Sequence, residues 1–161
     1  MIRVLVVEDS VTARDLLVSI LSRDAEITVV GIARTGEEAV ESTARLLPDV
    51  VTMDIGLPGV DGLEATRRIM RGSPTPIVIV SSAVHPADVD ASVRALRAGA
   101  LAVLPKPPGP LSAGFAVEAK RLVDTVKAMA GVRVVRRREP GPRATTTSSS
   151  GPVPGARVVA I

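Results

Sequence analysis

The sequence predicts an α/β fold, a parallel sheet with helices on both faces, and three observations carry that expectation. Five short aliphatic runs, at residues 4–7, 27–32, 50–53, 77–80 and 101–104, are rich in β-branched residues and nearly continuous, as strands buried on both sides are. Segments of helical period separate them, the alternation expected of βαβ units. Acidic, hydroxyl and lysine residues follow the runs, where functional groups of open parallel sheets gather.

Taken in order, the first run meets Glu8 and Asp9, and Ser10 suits the N-cap of a first helix. After the second run, Glu37 and Glu38 belong in a first helical turn, where the helix dipole favours acid. Ala39, Val40, Thr43, Ala44 and Leu47 repeat at helical spacing behind them, and Pro48 ends that helix. The third run closes on Asp54, and Asp61 suits the next N-cap. Ser81 and Ser82 end the fourth run. Val89, Val93, Leu96 and Ala100 then recur at helical spacing, with Gly99 as the stop signal. Beyond the fifth run, Lys106 sits between Pro105 and Pro107. A last helix with Ala119, Leu122, Val123, Val126 and Met129 or Ala130 on one face closes a domain over residues 1–130.

A chain of 161 residues holds one such domain and an appendage. Cysteine is absent, which excludes disulfides and thiolate metal sites and points to the cytoplasm. The apolar start reaches Glu8 and Asp9 too early for a signal peptide or a membrane span, so no membrane insertion is expected. Residues 1–110 carry 11 Lys and Arg against 14 Asp and Glu, whereas 111–161 carry 9 against 3. The basic character therefore belongs to the C-terminal part. Residues 131–156, basic and then rich in Ser, Thr, Pro and Gly, read as a flexible linker. Arg157-Val158-Val159-Ala160-Ile161 reads as the possible first strand of a further domain.

Glu8, Asp9, Asp54, Ser81, Ser82 and Lys106 should converge on one edge of the sheet. Crowded carboxylates repel unless a cation shares their site. Oxygen ligands without His or Cys favour Mg²⁺, with Mn²⁺ possible, over Zn²⁺. A carboxylate held there can attack phosphorus and form an acyl phosphate, with Lys106 and the Ser81 hydroxyl binding phosphoryl oxygens. Singly, each feature has an ordinary explanation: a capped turn, a solvated strand end, turn serines, a loop lysine. Their joint placement at successive strand ends is what points to a site.

The segments Val-Leu-Val-Val-Glu8-Asp9-Ser10, Asp54-Ile-Gly-Leu-Pro58-Gly-Val-Asp61-Gly62, Ile-Val-Ile-Val-Ser81-Ser82-Ala83 and Lys106-Pro107 resemble the receiver domain of two-component response regulators over about residues 2–130. The resemblance implies a flavodoxin-like (βα)5 doubly wound sheet of strand order 2-1-3-4-5. It implies Asp54 as phosphoacceptor, and Glu8, Asp9, Asp54 and the Gly56 carbonyl as Mg²⁺ ligands. Ser81, the Ser82 N–H and Lys106 would bind the phosphoryl group, and a cis Lys106–Pro107 bond is implied as well. Val103 occupies the position where many receivers carry a switching aromatic, so signalling would use Ser81 movement and repacking of the fourth helix and fifth strand. Within receivers, the chain most resembles the regulatory domain of a chemotaxis protein-glutamate methylesterase. His85 is the one histidine, so no Ser/His/Asp esterase triad is available in this chain.

The implied function is a phosphorelay receiver, served by a sensor histidine kinase and acting on an effector domain or a chemoreceptor-related protein. The alternatives are a stand-alone adaptor acting by contact and, with less support, a regulator whose Arg133, Arg136, Arg137, Arg138 and Arg143 bind nucleic acid. The first has the same receiver sequence. The second lacks a helix-turn-helix pattern and aromatic stacking residues, the chain having only Phe115. An aspartate-nucleophile phosphatase would need an acid two residues after Asp54, where Gly56 stands.

Overall fold

In the computed structural model, which describes residues 1–85 and 87–136, the chain runs β1 (Ile2–Val7), α1 (Val11–Ser22), β2 (Ile27–Ala33), α2 (Gly36–Leu46), β3 (Val50–Met53), α3 (Gly62–Gly72), β4 (Ile77–Ser81), α4 (Val89–Ala98), β5 (Ala102–Pro105) and α5 (Phe115–Ala130). The strands form one parallel sheet in the order β2-β1-β3-β4-β5, the flavodoxin-like arrangement. The stretch 137–156 of the expected linker and the expected strand at 157–161 lie outside the described residues. Among the described residues no helix is long and apolar enough to cross a membrane.

Side chains alternate across each strand, so the sheet builds two cores. On one face Val4, Val6, Val50, Val78, Val80 and Leu104 meet Leu17, Ile20 and Leu21 of α1 and Leu122 and Val126 of α5. On the other, Leu5, Val7, Val51, Met53, Ile77 and Ile79 meet α2, α3 and α4. Leu122 is 1% exposed and Val126 is fully buried, and full burial of such a side chain stabilises by roughly 1.5–3 kcal/mol.

Local signals set the helix ends. Ser10, Thr35, Asp61 and Asp88 each accept a backbone N–H three residues on, from Ala13, Glu38, Glu64 and Ala91. The Glu38 carboxylate returns the favour at α2 by accepting the Arg34 N–H at 2.8 Å. Gly99 ends α4 at φ +117°, a conformation L side chains rarely adopt.

The structure corrects two of the expected apolar faces. In α4 the buried residues are Ala91, Ala95 and Ala98, while Val89, Val93 and Leu96 are exposed. The segment carries two stripes at helical spacing, and the small one faces the sheet. In α2 the inward stripe is Ala39, Ser42 and Thr43, with Val40 and Leu46 packed against the core; Ala44 and Leu47 are exposed. Leu47 is the left-handed C-cap, φ 48°, and so turns away from the face that its spacing suggested. β5 also lies one residue later than the expected 101–104.

β1 pairs with β2 through an irregularity: Val4 faces Val29 but Leu5 faces Gly31, which leaves Val30 as an extra residue on the outer strand. After α5, packing continues. Val134 rests against the core on the α3 and α4 side, and Arg136 donates a hydrogen bond to the Gly72 carbonyl at 3.4 Å.

Thr52 of β3 is 1% exposed and its hydroxyl has no hydrogen-bond partner among the described residues. Leaving a buried hydroxyl unpaired costs about 1–3 kcal/mol. Thr52→Val keeps the shape and removes that oxygen, so it should raise the urea unfolding midpoint, corresponding to about 1 kcal/mol of added stability. An unchanged or lower midpoint would show that the hydroxyl is satisfied in solution.

Candidate functional site

Parallel pairing brings β1 and β3 to the carboxyl edge of the sheet at one level, with Val7 opposite Met53. The Asp54 N–H donates to the Val7 carbonyl at 3.1 Å and the Glu8 N–H to the Ala33 carbonyl at 3.0 Å, which fixes both residues just past their strands. Glu8 is fully buried, Asp54 is 5% exposed and Asp9 is exposed. Carboxylate oxygens of the three lie within 4.8 Å of one another.

Lys106 enters from the end of β5. Its Nζ donates to Asp54 Oδ2 at 3.1 Å and stands 2.9 Å from Glu8 Oε2. The second contact is an ion pair rather than an aligned hydrogen bond, since Glu8 Oε2 has no partner of hydrogen-bond geometry among the described residues. Glu8 Oε1 accepts the Ser10 N–H at 3.0 Å. Burial pushes the Glu8 carboxyl above its ordinary range; Lys106 and the Ser10 N–H oppose that shift and the Asp54 charge adds to it. Burial works against the Lys106 charge, but the Glu8 carboxylate and the Asp54 charge outweigh it and raise the ammonium above its ordinary value. Lys106 therefore stays protonated, and three carboxylates face one ammonium. The edge is short of positive charge.

The other expected residues stand around this cluster differently. Gly56 is beside it, with a Cβ built there 4.0 Å from Asp54 Oδ2, so room remains next to the carboxylate. Ser81 is buried, and its hydroxyl accepts the Ala83 N–H at 3.3 Å, within the β4–α4 turn. Ser82 is exposed. The described residues contain no cis peptide bond, so the implied cis Lys106–Pro107 bond is corrected to trans. The two X–Pro isomers differ by only about 0.5–1 kcal/mol, and the trans chain already brings the lysine amine to both carboxylates. Val103 packs against the α4-side core, and a groove of about 250 Å³ lies beside it, lined by Val84, His85, Val93, Pro105 and Arg121 among others.

Two residues already noted in the sequence, Gly62 and Glu37, contribute to the site in ways the sequence reading did not assign. A Cβ on Gly62 would fall 1.9 Å from the Asp54 carbonyl oxygen, so only glycine lets α3 start against the strand end. The signal was present: a glycine directly after the capping Asp61, where helices have no need of one. Glu37 accepts the Val60 N–H at 3.3 Å and thereby ties α2 to the loop after Asp54. Its position in a first turn gave no hint of a partner 23 residues away.

An all-oxygen donor set with excess negative charge and a buried carboxylate oxygen outside any aligned hydrogen bond fits a hard divalent cation such as Mg²⁺. The acidic pocket is of the kind with which receiver domains bind that ion.

Residues 4–112 match the family model described as the response regulator receiver domain. The chain is 60% identical over 136 residues to protein-glutamate methylesterase/protein-glutamine glutaminase 4 of Myxococcus xanthus, covering 84% of this chain and 38% of that protein. It is 55% identical over 162 residues to the corresponding protein 3 of Anaeromyxobacter dehalogenans, covering all of this chain and 47% of that one. The chain thus spans less than half the length of these relatives. Among solved structures, the response regulator domain of Thermotoga maritima CheB superposes with a TM-score of 0.75 at 39% identity, covering 83% of this chain and 98% of that domain. The receiver domain of NarL from Mycobacterium tuberculosis follows the same fold, with a TM-score of 0.65 at 30% identity over 78% of this chain and 96% of that one. With its sheet order, its acidic edge and these matches in agreement, the chain belongs to the response regulator receiver domain family.

Proposed function

We propose that this domain is the Mg²⁺-dependent phosphoryl acceptor of a chemotaxis-type methylesterase regulator, with Asp54 as the acceptor. The observation that carries the reading is the Glu8, Asp9 and Asp54 cluster, closed within 4.8 Å and bridged by Lys106. An Asp54 carboxylate oxygen attacks phosphorus of a phosphohistidine, the P–N bond breaks, and the imidazole leaves with the bonding pair. Lys106 holds its proton throughout, as its raised pKa favours, and neutralises charge at the transferring group. Glu8, Asp9, Asp54 and the Gly56 carbonyl would hold Mg²⁺. When bound, the ion supplies charge neutralisation for the phosphoryl oxygens. Space beside Gly56 leaves the carboxylate approachable.

The added charge of roughly −1.5 to −2 draws the Ser81 hydroxyl away from the Ala83 N–H, and the Ser82 N–H becomes a second donor to the phosphoryl group. α4 follows readily because it sits on the sheet through Ala91, Ala95 and Ala98, which offer little area to anchor it. No aromatic ring is needed: Val103 and the groove beside it permit the movement. The Val89, Val93 and Leu96 face is then re-presented to an effector. A sensor histidine kinase is the donor, and an attached methylesterase domain of the kind found in the relatives is the effector. The setting is cytoplasmic.

Incubation with acetyl phosphate and Mg²⁺ should add one phosphoryl group, about 80 Da by intact mass, to the wild type and none to Asp54→Asn. Omission of Mg²⁺ should abolish the gain. Absence of any mass increase under saturating donor would refute the acceptor role.

Asp9 is exposed and adds a like charge to two buried carboxylates. Asp9→Asn should therefore raise stability in EDTA, by about 0.5–1 kcal/mol given its solvent screening. Mg²⁺ should stabilise the wild type more than the variant and narrow that gap. A variant less stable in EDTA, or equally stabilised by Mg²⁺, would remove Asp9 from the cation site.

A further inference from the structure

The basic stretch after α5 is not simply a spacer. α5 belongs to the core on one face of the sheet, through Leu122 and Val126. At its end the Val132 N–H turns back to the Met129 carbonyl at 3.0 Å. Two residues later Val134 is half-buried against the core of the opposite face, the cluster that contains Met70 of α3 and Ala95, Ala98 and Ala100 at and after α4. The chain has passed beneath the amino edge of the sheet, from one helix layer to the other. Its neighbours Arg133 and Val135 are exposed, Val135 at 75%, so one side of the segment faces the protein and the other faces water.

Arg136 fastens the far end by donating to the carbonyl of Gly72 at 3.4 Å. Gly72 is the last residue of α3, so its carbonyl has no partner within the helix, and a guanidinium there also meets the negative end of the helix dipole. An apolar contact and a charged cap thus hold the segment at two points.

We propose that the amino edge of the sheet, at the C-terminal ends of α3 and α4, is a docking site for the chain's own residues 132–136, and that its occupancy responds to the position of α4. The second part rests on the aspartate reading above. The link is steric. The side chain of Met70 fills the space a Cβ on Gly99 would need, 2.8 Å from Met70 Cγ, so the end of α4 closes directly on α3. Val134 packs on the core cluster to which Met70 and, from α4, Ala95 and Ala98 belong. A shift of α4 on its alanine underside changes that seat. Arg136, the far end of the docked segment, lies on the α3 side, at the edge of the sheet opposite Asp54.

The native chain has no cysteine, so single thiols report on this site without background. In the full chain, the thiol of Val134→Cys should react with Ellman's reagent at least about fivefold more slowly than that of Val135→Cys, since it must first undock. Adding Arg136→Ala should accelerate the former and leave the latter unchanged. With acetyl phosphate and Mg²⁺, in samples whose intact mass shows the phosphoryl group, the Val134→Cys rate should rise at least about twofold. Equal rates at 134 and 135 would overturn docking, and unequal rates indifferent to verified phosphorylation would overturn the coupling. A sample that takes up no phosphoryl group would overturn the aspartate reading and the coupling with it, while the ratio of the two rates still decides docking.

Discussion

Two carboxylates buried at the end of an aliphatic sheet, with one lysine amine between them, set the terms for the rest of this molecule. Removing Glu8 and Asp54 from water is costly, and Lys106 compensates only part of it. The cost is sustained because β1 and β3 are buried on both faces and leave their strand ends no freedom to move apart. The same rigidity keeps the cluster one positive charge or more short of balance. An edge in that condition is poised to take up cations.

How far the sequence disclosed this depends on the length scale of each interaction. β-Branched runs and capping residues act locally, so the strands, the Ser10 and Asp61 caps and the convergence of Glu8, Asp9, Asp54 and Lys106 on one edge were all legible. The inward face of α4 was not, because Val89, Val93 and Leu96 repeat with the same period as Ala91, Ala95 and Ala98. Periodicity identifies a helix but does not say which of two stripes the sheet has room for. Leu47 was misjudged for a different reason, its left-handed backbone. Glu37 and Val134 depend on approaches between segments distant in sequence, and no local pattern reports those.

The two faces of the sheet have unequal grips on their helices. α1 and α5 insert leucine, isoleucine and valine into one core, whereas α4 lies on the other with nothing larger than alanine buried. Burial energy scales with area, so the buried side chains of α4 anchor it less than those of α1 and α5 anchor theirs. A domain so divided can shift part of one layer while the other keeps the fold intact. The larger apolar residues of α4, Val89, Val93 and Leu96, stand on its outer side, where a partner can reach them.

The outer strands bear on a different matter, the tendency of open sheets to recruit further strands. β2 forms one border, and its extra residue at Val30 interrupts the regular ladder that another chain would have to match. β5 forms the other border; it is four residues long and ends at Pro105, with Pro107 and Pro108 following, none of which has an N–H to offer. Both borders are thereby poor templates for edge-to-edge growth. A second copy extending the sheet at either border would have to accommodate the extra residue of β2 or the prolines that end β5.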